Sequence, residues 1–182
     1  VLTHQGGFPN APVMPPESWE DHQLLKRLVC DYTLEWTPGS RLHYHAYSAH
    51  WILALLIEAL TKMDFRAFIR RRIVEPLGRG EEMYVGMDVK DQPRAAEMYD
   101  PDPSGKGSKL IEAENTIAFR KAGVPSGGGF ASARAMAAFY QMLLAGGALN
   151  GKRSLSPRMI HYVTRNVTGE RLWYALHGYD VQ

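Results

Sequence analysis

Between Thr37 and Trp51 the sequence reads TPGSRLHYHAYSAHW, which sets His43, His45 and His50 beside Tyr44 and Tyr47. Two kinds of chemistry use such residues. Imidazoles bind metal ions; His43 and His45 alternate on an extended segment and so face one side, with His50 a few residues beyond, giving two or three ligands of one type. No Asp, Glu or Cys lies within five residues of the His43/His45 pair, however. Histidine beside Tyr and Trp is also an ordinary hydrogen-bonded packing residue. A phenol is the second option, as a proton carrier. With a pKa of about 10 it is a poor base at neutral pH, and a neighbouring ammonium must favour phenolate before Tyr44 or Tyr47 can serve. The common nucleophile motifs are absent. Ser126 sits in VPSGG rather than a Gly-x-Ser-x-Gly elbow, and no serine is followed three residues later by lysine. Cys30, near the end of an amphipathic segment, reads as a small buried residue rather than a reactive thiol.

These side chains need elements to hold them. Residues 3–16, THQGGFPNAPVMPP, are rich in Gly, Pro and Asn and read as an ordered loop. Ser18 with Asp21 makes a capping-box-like start to a helix that ends near Cys30, its apolar stripe formed by Trp19, Leu24, Leu25, Leu28 and Val29. Pro38-Gly39 sets a turn. Residues 49–60, AHWILALLIEAL, are apolar nearly all round apart from His50 and Glu58, which describes a helix buried on most of its faces. Asp64 caps the next helix, lined by Phe65, Phe68, Ile69 and Ile73, with Arg70, Arg71 and Arg72 solvated and Pro76 and Gly78 at its end.

Farther along, EEMYVGM and AAEMY read as short strands. Residues 100–109, DPDPSGKGSK, lack apolar side chains and read as an exposed loop. After VPSGGGF, Ser132 caps a helix carrying Met136, Phe139, Tyr140, Leu143 and Leu144 that closes at Gly146-Gly147. Asn150-Gly151 marks a turn. Ser156-Pro157 starts a last helix reaching about Asn166, and residues 167–182 begin a strand region.

Composition bounds the function. The 182 residues, 45% hydrophobic, suffice for one domain with a core. Twenty-one Lys and Arg against 19 Asp and Glu leave a formal charge of +2, with the basic residues scattered, which argues against nucleic-acid binding. A single cysteine excludes an internal disulfide. No run of apolar residues is long enough for a membrane span and no leader is visible, so the expectation leans to a soluble, cytoplasmic protein of open oligomeric state.

The order of the segments carries more than any one of them. LTHQGGFP, then PGSRLHYHA, then ILALLIEALTKMDFRAFIRRRIVEPLG, then SGGGFASARAMAAFYQMLLAGGALNGKRSLSP resembles the serine beta-lactamase-like family, which comprises class C beta-lactamases, related esterases and penicillin-recognising peptidases. The resemblance implies an α/β fold of the beta-lactamase/transpeptidase type, of which this chain is the helix-rich middle. The central sheet, the Ser-x-x-Lys nucleophile and the third motif are expected outside the chain. His177-Gly178 reads as a turn rather than as that third motif.

By the same resemblance the catalytic tyrosine stands five residues after Gly39, at Tyr44, with Tyr47 as its rival. Ala46 occupies the place of the family's Asn, which weakens amide-ring recognition and favours ester substrates. His45 offers a substitute hydrogen bond to substrate, or else packs. Gly127, Gly128 and Gly129 are expected to shape the cleft wall, or simply to make a tight entrance to the Ser132 helix. No metal or organic cofactor is implied, and the partner is a small ester or amide. Two other readings stay open: a catalytically silent binding or scaffold relative, and a metalloenzyme centred on His43, His45 and His50.

Overall fold

The computed structural model describes residues 1–10 and 16–168. Helix α1 spans His22–Cys30 and starts at Asp21, whose carboxylate accepts the Leu24 N–H at 2.9 Å. Ser18 does not cap it. The Ser18 carbonyl accepts the Asp21 N–H, so the chain makes a further 3₁₀ turn over Pro16–Ser18 before the helix begins. Trp19 consequently leaves the helical stripe and packs edge-on against Phe119, ring centres 5.4 Å apart. Cys30 is exposed rather than buried. It lies five positions beyond the buried Leu25, about 140° around the helix, and so faces away from the core.

Helix α2, Ser48–Thr61, buries Ser48, Ala49, Trp51, Ala54 and Leu55, while Leu56 and Leu60 are 50% and 75% exposed. The exposed residues, Leu56, Ala59 and Leu60, form one stripe, and the remaining positions are buried or partly buried. Leu25 of α1 and Phe65 pack with Trp51, Ala54 and Leu55 on the buried side. Helix α3, Phe65–Ile69, begins as the sequence indicates: Asp64 accepts the N–H groups of Arg66 and Ala67 at 2.8 and 3.4 Å. It runs into a π turn over Arg70–Val74 and stops at Gly78, at φ +68°.

The strands are short. Strand β1, Met83–Val85, is the one expected from EEMYVGM. Strands β2, Tyr99–Pro101, and β3, Ser108–Leu110, pair antiparallel, so the ends of the 100–109 segment belong to a hairpin. The segment is exposed all the same, because a two-stranded ladder satisfies its backbone without needing apolar side chains. Helix α4, Ile117–Ala122, has no counterpart in the sequence reading; Thr116 caps it and Gly123 ends it at φ +62°. Strand β4, Gly129–Ala131, pairs antiparallel with β1, Tyr84 opposite Phe130.

Helices α5, Ala133–Leu144, and α6, Pro157–Thr164, start where the pattern puts them, with Ser132 and Ser156 hydroxyls each accepting a first-turn N–H at 3.1 Å. Between them β5, Ala148–Leu149, and β6, Lys152–Arg153, form the Asn150-Gly151 hairpin. The strand region expected beyond Val167 lies almost wholly outside the described residues, as does His177-Gly178.

One core joins the first four helices. Leu25, Trp51, Ala54, Leu55, Phe65, Phe119 and Ala122 from α1, α2, α3 and α4 pack together with Trp19 before α1 and Val124 after α4. Arg66 fastens the edge of that core, donating to the Ala122 carbonyl at 3.1 Å and to Glu20 at 3.1 Å while its other nitrogens hold Asp64.

Candidate active site

The loop before α2 is laced to the first residues of the chain. His43 N–H donates to the His4 carbonyl at 3.0 Å, Gly39 N–H to Gln5 and Glu35 N–H to Gly7, each at 2.8 Å. Gly7 is required there: it sits at φ +74°, and a Cβ would lie 2.2 Å from the Trp36 carbonyl oxygen. His4 takes the left-handed conformation too, at φ +53°. Its Nδ1 accepts the His45 N–H at 3.3 Å, and its ring lies 4.7 Å from that of Tyr44. Tyr44, half-buried, thus stands between two residues whose backbones are both tied to His4.

His45 is 1% exposed, and its Nε2 donates to the Phe8 carbonyl at 2.6 Å. That contact packs the ring between the two segments and pins them together. Its ring stacks near-parallel to His4 at 6.2 Å and lies 5.5 Å from Trp36. Burial lowers the pKa of both rings, and mutual repulsion among the imidazoles adds to it, from His45 and His50 on His4 and from His43 on His45. Both are neutral at pH 7.

The other site candidates sit nearby in different roles. Tyr47 precedes α2, its carbonyl accepting the His50 and Trp51 N–H groups at 3.1 Å, so it starts the helix. His50 joins the cluster through His4, ring centres 6.3 Å apart, and its Nδ1 is buried without a hydrogen-bond partner among the described residues. The ligand atoms of His43, His45 and His50 do not converge into a group within 4.8 Å; the one such set among the described residues is His22, Glu58 and Asp64. That set was not legible in the sequence, because its members lie on three separate elements.

His50 also lines an apolar cavity of about 210 Å³ with Leu53, Ile57, Phe65, Val85 and Gly129. A larger cavity of about 420 Å³ is walled by Tyr84, Met87, Met98, Phe119, Gly127 and Gly129. Gly129 borders both. The three glycines differ physically. At Gly128 a Cβ would meet Val124 N at 2.4 Å and Gly123 at 2.5 Å, whereas at Gly129 its nearest neighbour would be 3.9 Å away. Gly128 is thus a packing necessity, while Gly129 stands open on the cavities.

Comparison with known proteins places this arrangement. The beta-lactamase family profile matches residues 1–182. The esterase/beta-lactamase LipL of Mycobacterium tuberculosis is 26% identical over 194 aligned residues, covering 91% of this chain and 44% of LipL. A family VIII carboxylesterase superposes with a TM-score of 0.77 at 25% identity, over 90% of this chain and 47% of that one. A penicillin-binding protein homologue from Caulobacter crescentus shares the fold with a TM-score of 0.69 at 20% identity, again over 90% of this chain and 47% of its own. The chain spans less than half the length of each. No helix among the described residues is long and apolar enough to cross a membrane. With its match running the whole length of the sequence and its helices and ladders superposing on solved relatives, the chain belongs to the beta-lactamase family and has the beta-lactamase/transpeptidase-like α/β fold.

Proposed function

We propose that the protein of which this chain forms part is a serine hydrolase acting on small carboxylic esters, with Tyr44 as its proton carrier. The observation that carries the reading is the fixed seat of Tyr44: both flanking residues are bonded to His4, whose ring packs against the phenol. A group that moves protons gains most from being held in one geometry before substrate arrives. In the first step the serine hydroxyl adds to the ester carbonyl while its proton passes to Tyr44 in its phenolate form, which the lysine of the nucleophile motif favours. Collapse of the adduct releases the alcohol, which takes that proton, and leaves an acyl-serine that water then hydrolyses.

Esters rather than beta-lactams are favoured because Ala46 has no amide to hold a ring carbonyl, and because LipL and the family VIII enzyme carry esterase names. The nucleophile is assigned outside this chain, since none of its serines has the lysine three residues on that would activate it. Gly129 contributes to the wall of the substrate cleft, and His45 acts by holding the Tyr44 segment in place.

The test is labelling of the longer protein with a fluorophosphonate and mapping of the adduct by mass spectrometry. The label should fall on a serine of a Ser-x-x-Lys sequence beyond residues 1–182. A label on Ser48 or Ser126 would overturn the assignment of the nucleophile. Neither labelling nor ester turnover would leave a silent relative.

A further inference from the structure

His22, Glu58 and Asp64 come from three different elements: the first residue of α1, the last full turn of α2, and the residue that caps α3. His22 Nδ1 lies 2.8 Å from Glu58 Oε1 and 3.9 Å from Asp64 Oδ2, and one ligand-type atom from each residue falls within 4.8 Å of the others. Ligands bonded to tetrahedral zinc at about 2.0–2.2 Å stand about 3.4 Å apart, midway between the two separations from His22. The side chains are 14%, 19% and 34% exposed, sheltered yet reachable, because an open pocket of about 420 Å³ is lined by all three.

We propose that His22, Glu58 and Asp64 form a binding site for a zinc-class divalent cation, with the fourth position open to the pocket. One imidazole and two carboxylates form a mixed set that suits zinc or cobalt better than calcium or magnesium, which prefer all-oxygen shells. Both carboxylates are already held. Glu58 Oε1 accepts the Phe65 N–H at 3.0 Å, and Asp64 Oδ1 accepts the Arg66 N–H.

The neighbouring cations set the strength. Arg66 Nη2 shares Asp64 Oδ2 at 2.6 Å, and Lys26 and Lys62 border the pocket, so binding is of moderate affinity. Lys62 turns its ammonium to the Ala59 carbonyl at 2.7 Å instead of to the carboxylates. The bound ion would tie the starts of α1 and α3 to α2, a role independent of the Tyr44 chemistry.

The experiment uses chelator-stripped full-length protein at pH 7. Cobalt chloride should produce a visible absorption band saturating at one ion per chain, and zinc chloride should displace it and raise the thermal midpoint. His22→Gln should weaken cobalt binding by about tenfold or more, while His50→Gln leaves it unchanged. On the unmutated protein, zinc should shield His22 from diethylpyrocarbonate while His43 and His50 react as before, a measurement that needs no variant to fold. Absence of the cobalt band, binding unchanged in His22→Gln, or zinc protection at His50 rather than His22 would each overturn the proposal.

Discussion

The His4 ring lies 4.7 Å from the Tyr44 ring, tilted by 40°, and His4 reaches Tyr44 from both sides through hydrogen bonds to the backbones of His43 and His45. A residue forty positions earlier therefore helps decide where the phenol points. If Tyr44 carries protons, His4 is a positioning residue. In the longer protein His4→Ala should lower kcat by about tenfold with KM little changed, since a small displacement of an aligned group costs rate before it costs affinity. An unchanged kcat would separate His4 from the site.

Tyr44→Phe should lower kcat/KM for an activated ester by about 10²-fold, the scale of a lost acid/base, with circular dichroism unchanged. Tyr47→Phe should do much less, because the Tyr47 contribution seen here is its backbone carbonyl at the start of α2. Full activity in the Tyr44 variant would sink the assignment.

Gly128→Ala and Gly129→Ala should separate packing from function. The added methyl at position 128 collides with the Val124 and Gly123 backbone, and a loss of about 2 kcal/mol of stability is expected. At position 129 the methyl meets nothing closer than 3.9 Å, so the thermal midpoint should hold while KM for bulky esters rises. Equal destabilisation of the two variants would contradict the geometry.

Acid should loosen the His4/His45 lacing before it touches the carboxylates. Both histidines have folded pKa values below the ordinary 6.5, so on acidification the unfolded chain takes up protons that the folded one refuses. Their stabilisation is complete above about pH 6.5 and is lost as pH falls from there toward the folded values. Asp64, held low by Arg66, adds a second loss only below about pH 4. Thermal midpoints measured from pH 7.5 to 3.5 should show two declines, the first reduced in His45→Gln.

Residues 1–182 alone should not hydrolyse p-nitrophenyl esters above buffer, because no serine in them has an activating lysine three residues on. Chelation should leave ester turnover of the longer protein intact, since acyl transfer to serine requires no metal. Zinc at His22, if bound, should alter its thermal midpoint and not its rate. Loss of turnover on chelation, restored by zinc, would point to metal chemistry instead.

Local signals were legible in the sequence wherever one backbone group and one nearby side chain settle the matter. Asp64, Ser132 and Ser156 each cap the helix that follows, and Asn150-Gly151 makes its hairpin, because these bonds span three residues or fewer. The family and its fold were legible as well, through the order of four segments. Where two caps compete within one turn, as at Ser18 and Asp21, propensity does not choose; the 3₁₀ turn that buries Ser18 does. Burial of α2 and exposure of Cys30 depend on which faces other helices cover, and composition is blind to that. Only the tertiary structure joined His4 to Tyr44, turned His45 onto the Phe8 carbonyl, and gathered His22, Glu58 and Asp64. In each case the partners stand on separate elements, so their meeting follows from how the helices and loops pack and not from any spacing along the chain.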